Sequence, residues 1–461
     1  MGFPNSAVAG GATTVKFPDW TRHAPFLFFM VALFAQFPNF KFSSIQIAEA
    51  LSILLVADRS LEWSRYGWRG ESSSTTRAVL NYTVLVSVVL IVVTIMANAT
   101  DRFSQPALLT GVFEQPYVLS LSKVIEFLLV IFVYVYAVHV FCRGIGDLRV
   151  FLELYVVFGT LAAVYGIAAV ILWFALHLDI GGATVSAGSA RLTGPYLEGG
   201  PFGSFLVTVI LATVVLRTHF RRITLGVMWL ILGTLFSALL LSRSKAAFVA
   251  IVIILAVSGF VGVTRVGRSA LWAVLAVVFA LLLGRSYVGQ QIRGYILDAS
   301  KLEEYASNLN VGGTHLDPSL FYGRVTGSII VPRMIAHRPL VGIGLGNYPL
   351  TRNVEPYRGH LPLAVYWDDP GLGLIGYMAE VGVPAWILVF VLCCTPAIIS
   401  HRRRPTQWTK MMAVAPVALF LCGTQITFMY PWIIGAAAIG LSEAEEKRAQ
   451  FVASDRAASR M

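Results

Sequence analysis

Two cations stand where an apolar chain tolerates them least. Between the apolar runs 236–241 and 246–255 the sequence reads Ser242-Arg243-Ser244-Lys245, with almost no connecting loop. A charge at the edge of a hydrocarbon layer is costly unless it snorkels outward or is paired. A lone cation there is most simply a snorkelling anchor. Two cations flanked by hydroxyls fit a site for an anion. Arg191 adds a third cation, in Gly188-Ser-Ala-Arg191-Leu-Thr-Gly-Pro195, and Gly199-Gly-Pro-Phe-Gly203 follows. By themselves those glycines indicate only a turn before a span. Further along stand His360 and Tyr366-Trp-Asp368-Asp369-Pro370. Carboxylates at a helix start serve as caps, metal ligands or a general base. Pro370 suits the first helical turn, which makes capping the simplest role for Asp369 and leaves Asp368 freer to act.

The second cluster lies in a polar stretch of about 85 residues, 285–370, in an otherwise apolar chain. Loops of that length are usually functional or disordered. This one is too aromatic for a solvated linker, with Tyr287, Tyr295, Phe321, Tyr322, Tyr357 and Trp367 among others. It also carries Arg293, Arg324, Arg333, Arg338, Arg352 and Arg358. Aromatics among arginines suit stacking on sugars and gripping of phosphates. Helical spacing is expected over 287–309 and 318–337, with Pro332 kinking or dividing the second helix. The run from His337 to Tyr348 spaces its glycines G-x-G-x-G. No expected strand precedes it, so a dinucleotide site fails its own context. Glycines so spaced let backbone approach a ligand or another helix closely. Arg338, Asn347 and Tyr348 in this run are candidate substrate contacts.

These residues must be positioned by membrane-spanning helices. The 461 residues are 57% hydrophobic and 13% charged, with a mean hydropathy of +0.73. Soluble domains carry about 25% charge. Runs near the roughly 20 residues that a span needs fall at 24–40, 43–57, 78–97, 117–141, 150–178, 201–216, 223–241, 246–264, 269–284, 372–400, 410–427 and 430–441. The expected fold is therefore an all-α polytopic membrane protein of about 12 transmembrane helices with one large, mostly helical loop. It divides into an N-terminal bundle (1–284), the loop (285–371), C-terminal spans (372–441) and a solvated tail (442–461). The first and last pairs of runs are short enough for re-entrant hairpins, and the first is read as a retained span.

The net charge of +11 suggests nucleic acid only until its distribution is seen. The arginines cluster in short turns: Arg143 and Arg149; Arg217, Arg221 and Arg222; Arg265 and Arg268; Arg402, Arg403 and Arg404. That is the positive-inside pattern. It puts both termini in the cytoplasm and turns 98–116, 179–200, 242–245 and the large loop outward. Membrane lipids are then the expected surroundings and nucleic acid is no partner. None of the four cysteines, Cys142, Cys393, Cys394 and Cys422, lies in the loop, so no disulfide framework is implied. Zinc-protease, serine-hydrolase and Walker motifs are missing, as is any cysteine–histidine metal spacing. No metal or cofactor is called for.

Taken in order, Leu241-Ser-Arg243-Ser-Lys245-Ala-Ala247, Tyr322-Gly-Arg324, the run from His337 to Tyr348 and Leu374-Ile-Gly-Tyr-Met-Ala-Glu-Val-Gly-Val-Pro384 resemble the bacterial O-antigen ligase and O-antigen polymerase superfamily. The resemblance covers about residues 185–400. It implies an inner-membrane glycosyltransferase with its site on the periplasmic side, using no nucleotide sugar. Such enzymes take a glycan from an undecaprenyl diphosphate carrier and join its anomeric carbon to an acceptor hydroxyl. The acceptor is another lipid-linked repeat in polymerases and lipid A–core in ligases, and a chain-length regulator protein is a possible further partner. On matching positions, Arg243 and Arg324 would hold the diphosphate, with Arg191 and Lys245 beside them. Ligases typically carry a His-Asn pair just before the helix that starts here at Leu374. This chain has Pro370-Gly-Leu372, which favours the polymerase and leaves His360 and Asp368 as the nearest bases. A transporter of the same lipid-linked glycans is the rival from another class. Transporters often show internal repeats and mid-membrane charges. No repeat is visible here, and Glu126 is the main charge away from one face. A scaffold with a partner-binding loop ranks third.

Overall fold

The structure is a computed structural model and describes residues 23–35, 41–42, 45–66, 73–100, 115–186, 189–196, 198–259, 326–359, 371–403 and 405–458. Its helices, in order, are α1 (His23–Phe34), α2 (Ile47–Tyr66), α3 (Ser74–Thr100), α4 (Pro116–Arg143), α5 (Ile145–Leu176), α6 (Gly199–Val215), α7 (Leu225–Ser242), α8 (Lys245–Gly259), α9 (Thr326–His337), α10 (Tyr348–Thr351), α11 (Glu355–Arg358), α12 (Leu374–Arg402), α13 (Gln407–Leu421) and α14 (Met429–Ala458). A π-helical turn, Leu216–Phe220, extends α6, and two short antiparallel hairpins, β1–β2 (Lys41–Phe42, Ile45–Gln46) and β3–β4 (Ala183–Ser186, Ser189–Leu192), complete the list.

Among the described residues six helices are long and apolar enough to cross a membrane: α3, α4, α5, α6 with its π turn, α7 and α12. The helix α8 is apolar but shorter, at 15 residues. These fall on the expected runs. The expected span 269–284 and the expected helix 287–309 lie outside the described residues. At 12 residues, α1 is about 18 Å long, too short to cross. It packs against α2, whose length suffices but whose sequence carries Glu49, Asp58, Arg59, Glu62 and Arg65. Within the large loop, Pro332 stands inside α9 without dividing it.

The core forms where aromatics meet small residues. Trp432 of α14 lies 5.2 Å from Tyr134 of α4 and 5.0 Å from Phe420 of α13, measured between rings. One face of α14 is small. A Cβ on Gly440 would meet Phe141 at 2.7 Å, and one on Gly435 would meet Pro396 at 2.8 Å. Small residues let apolar helices approach closely and gain dispersion contacts where no hydrophobic drive separates helix from lipid. The expected solvated tail begins differently. The last helix runs on to Ala458, and Ser442 and Glu443 are buried within the bundle.

Successive long helices reverse direction, which gives the bundle two ends. One gathers the arginine turns: Arg149 and Arg222 both reach Glu153 at 3.6 Å, Arg403 reaches Glu446 at 3.1 Å and Glu443 at 3.5 Å, and His219 reaches Glu445 at 3.3 Å. The opposite end gathers Thr100, the β3–β4 hairpin, the α7–α8 turn, the described part of the large loop and the start of α12. Of the segments expected to share one face, the described parts lie at this end.

Candidate functional site

The α7–α8 turn is built on two helix ends. Ser242 closes α7, and Arg243 takes the left-handed conformation at φ 49°, ψ 31°, its N–H donating to Leu240 O at 3.1 Å. A non-glycine residue there costs about 1 kcal/mol. The turn that results lets Ser244 cap α8: its Oγ accepts from Ala247 N–H at 3.3 Å and donates to Gly200 O at 3.0 Å. The Arg243 side chain is exposed and makes no hydrogen bond or ion pair among the described residues; Lys245 beside it is also exposed.

Arg191 joins this turn. The β3–β4 register pairs Thr184 with Arg191, and Arg191 Nε donates to Ser242 O at 2.8 Å. A cation on the last carbonyl of α7 also suits that helix's dipole. The glycines after Arg191 belong to the first turn of α6, and their smallness is required by contact. A Cβ on Gly199 would lie 2.6 Å from Ser242 O and 2.7 Å from Arg191 Nε, and one on Gly203 would collide with Ser244. The starts of α6 and α8 therefore meet beside Arg191, Arg243 and Lys245. Helix N-termini and cations together favour negative charge.

The glycine-rich run docks on a break in α12. At Gly382 the backbone leaves helical geometry (φ 76°, ψ 162°), and Pro384 has no N–H to give Glu380 O. In an intact helix Val383 N–H would bond Ala379 O. Instead, Ile343 N–H donates to Ala379 O at 3.0 Å, Gly344 N–H to Glu380 O at 2.8 Å, and Val383 N–H to Pro339 O at 2.8 Å. Loop backbone replaces the helix's own partners. Gly342 and Gly382, both at positive φ, permit the approach: a Cβ on either would strike a carbonyl of the other strand, Glu380 O or Leu340 O. The break is sharp. Trp386 Nε1 donates to Leu374 O at 2.7 Å across 12 residues, a separation of about 18 Å along a straight helix. So 374–381 is a short helix folded back at the head of the span 383–402.

Past the glycines, Asn347 is buried at the ends of α3 and α4. Its Nδ2 donates to Asn98 Oδ1 at 3.1 Å and to Ile343 O at 3.0 Å, and Ser120 Oγ donates to its Oδ1 at 2.9 Å. Arg338 holds Thr100 through two bonds, to Oγ1 at 3.0 Å and O at 2.9 Å. Tyr348 is buried with Ile330, Val331, Met334 and Ile343 in a small core that the loop shares with Ala379 of α12. The described part of the loop is folded, as its aromatic content led us to expect.

Thus the structure gathers Arg191, Arg243 and Lys245 in one place and Arg338, Asn347 and Tyr348 in another. Between them run the short helix 374–381 and the α13–α14 connection. Gly373 is pressed against Phe420 and Gly423, while Phe428 and Tyr430 each lie 6.3 Å from Tyr196, and Tyr430 OH donates to Pro201 O at 3.3 Å. Arg324, His360 and Asp368 lie outside the described residues. Sequence reasoning missed Asn98 and Ser120, which look like ordinary interfacial residues beside apolar runs. It also passed over Arg352 and Glu380, charged residues only 1% and 8% exposed. Arg352 looked like any loop arginine, and Glu380 stood out only as part of a motif.

Residues 227–390 match a protein-family model described as O-antigen ligase. No curated protein matches the chain significantly. The matched stretch runs from α7 to the middle of α12 and contains every candidate site residue except Arg191. That match supports the resemblance to the O-antigen ligase and O-antigen polymerase superfamily.

Proposed function

We propose that the chain is a bacterial inner-membrane glycosyltransferase, working on the periplasmic side, that moves a glycan from undecaprenyl diphosphate to an acceptor hydroxyl. Its acceptor is most simply a second lipid-linked repeat unit, which makes it a polysaccharide polymerase. The observation that carries this reading is the meeting of Arg191, Arg243 and Lys245 with the starts of α6 and α8, at the end opposite the arginine turns.

The chemistry follows from charge. Breaking the bond between C1 and the diphosphate oxygen places negative charge on the leaving group. Guanidiniums already in position stabilise that charge without a metal. One such contact in a partly dry site is worth about 3 kcal/mol, about a hundredfold in rate. Arg243 and Arg324 take this role, with Arg191 and Lys245 supporting them. Asp368 or His360 removes the acceptor proton, and attack from the opposite face inverts the anomeric carbon. Arg338, Asn347 and Tyr348 serve the acceptor side by shaping the loop above it. The description of the matching family favours a second reading, ligation to lipid A–core. Against it stands Pro370-Gly-Leu372, where ligases typically carry His-Asn.

The test is genetic and chemical. A strain lacking the protein should accumulate single repeats on the carrier, and wild-type protein should restore long chains. Arg243→Ala should not restore them, and Arg243→Lys should do so poorly, because a point charge lacks the guanidinium fork. Long carrier-linked chains with bare lipid A–core in the deletion strain would establish ligation instead. Full restoration by Arg243→Ala would remove the diphosphate site from this turn.

A further inference from the structure

We infer that Asn98, on α3, is a positioning residue for the transfer reaction. With Ser120 and Asn347 it forms a buried lock that keeps the glycine run in place as the backbone splint of broken α12. The role in transfer rests on the function proposed above; the lock itself does not.

The broken helix cannot stand alone. Ala379 O, Glu380 O and Val383 N–H have lost their intrahelical partners and are satisfied by 339–344. Buried backbone groups left unpaired are costly, most of all beside hydrocarbon. The short helix 374–381 therefore sits where the glycine run sits. Something must fix the glycine run in turn, since glycine is the least restrained of residues. Asn347 does so at the run's far end. Its amide reaches Asn98 and Ser120 on two spanning helices and Ile343 O within the run. Exposures of 5%, 1% and 0% for Asn98, Ser120 and Asn347 mean that solvent cannot substitute for these bonds. Asn98 is itself oriented by its Nδ2 donating to Thr94 O at 2.9 Å. The Lys123 stem closes the corner, at 2.6 Å from where a Cβ on Gly346 would stand.

The connection reaches the proposed chemistry. The short helix comes three residues after 360–370, which hold both candidate bases, and Gly373 at its N-cap packs on the α13–α14 connection that adjoins α6. Displacing the lock tilts the short helix and misplaces the base. It leaves Arg191 on β4, and Arg243 and Lys245 at the α7–α8 turn, untouched. Misplacing a reacting group by 1 Å costs about a hundredfold even when ligand binding survives. Asn98 thus governs turnover more than donor affinity.

The test reads the splint's own protons. Hydrogen–deuterium exchange of the full-length protein in detergent follows a peptide covering 339–348, whose Ile343 and Gly344 amides bond α12. In Asn98→Ala we expect exchange there at least tenfold faster, with α13 and α14 peptides unchanged. Ser120→Ala, a smaller change, should do the same more weakly. The near-isosteric Thr94→Val, one turn away and outside the lock, should leave 339–348 as in wild type. In transfer assays Asn98→Ala should lower kcat at least tenfold and leave KM for the carrier-linked donor within twofold. Unchanged exchange at 339–348 in both Asn98→Ala and Ser120→Ala would overturn the lock. So would exchange raised equally throughout the bundle. Faster exchange with unchanged kcat would overturn the positioning role alone. If wild-type protein transfers no glycan, the proposed function fails while the exchange result still decides the lock.

Discussion

The two ends of the bundle handle cations differently. At the arginine-turn end, guanidiniums meet carboxylates of neighbouring helices: Arg149 and Arg222 share Glu153, while Arg403 lies between Glu443 and Glu446 and also bonds Thr75. At the other end, guanidiniums are fastened to carbonyl oxygens. Arg191 bonds Ser242 O, Arg338 bonds Thr100 O, and Arg333 donates to Tyr357 O at 3.3 Å and Arg358 O at 3.0 Å. Lys123 and Glu126 also pair there, at 2.6 Å. A carboxylate cancels a guanidinium's charge. A carbonyl orients the group. The proposed function reads this as anchoring at one end and recognition at the other.

That contrast breaks most visibly if the two ends lie on the same side of the membrane. In a variant with Cys142, Cys393, Cys394 and Cys422 replaced, a cysteine at exposed Glu355 should react with an impermeant thiol reagent in intact spheroplasts. One at exposed Arg402 should react only after lysis. The expected difference is all or none, and equal labelling of both would dissolve the comparison.

Smaller effects sharpen it. Arg191→Ala removes a charge beside the α7–α8 turn and the bond to Ser242 O, and transfer should fall about tenfold, or about 1.4 kcal/mol. Protein level should hold. Arg403→Ala should do the opposite: transfer per folded molecule stays within about twofold, while stability drops by about 1–3 kcal/mol because buried Glu443 loses a partner. Thermal unfolding in detergent reads the second change and a donor-saturated rate reads the first. A loss of transfer from Arg403→Ala as large as that from Arg191→Ala would erase the distinction between the ends.

Much of this division was legible in the sequence. Apolar length marked α3 to α7 and α12, because a span must satisfy its backbone within one helix and fill about 30 Å with apolar side chains. Charge asymmetry sorted the turns, and the crowding of Ser242 to Lys245 between two apolar runs marked the candidate anion site. What stayed hidden depends on partners distant in the chain. The Val-Gly-Val-Pro384 motif and the glycine run were both visible, yet nothing local says that one supplies the other's missing hydrogen bonds. Asn98 stood at the end of an apolar run like any interfacial residue, and only the fold brings Asn347 to it. Polarity after Leu441 suggested a solvated tail, but Arg403 and Lys447 give buried Glu443 its partners, so the helix continues.

The central claim is that the cations of the α7–α8 turn hold the diphosphate of a carrier-linked glycan while its C1 bond breaks. Purified wild-type protein incubated with an undecaprenyl-diphosphate-linked repeat unit tests it most directly, with released carrier diphosphate and glycan length measured together. Wild type should release one carrier for each new glycosidic bond. Arg243→Ala should do so about a hundredfold more slowly, the loss expected for one charge-stabilising contact. Release of carrier at the wild-type rate by Arg243→Ala, with chains of normal length, would contradict the account.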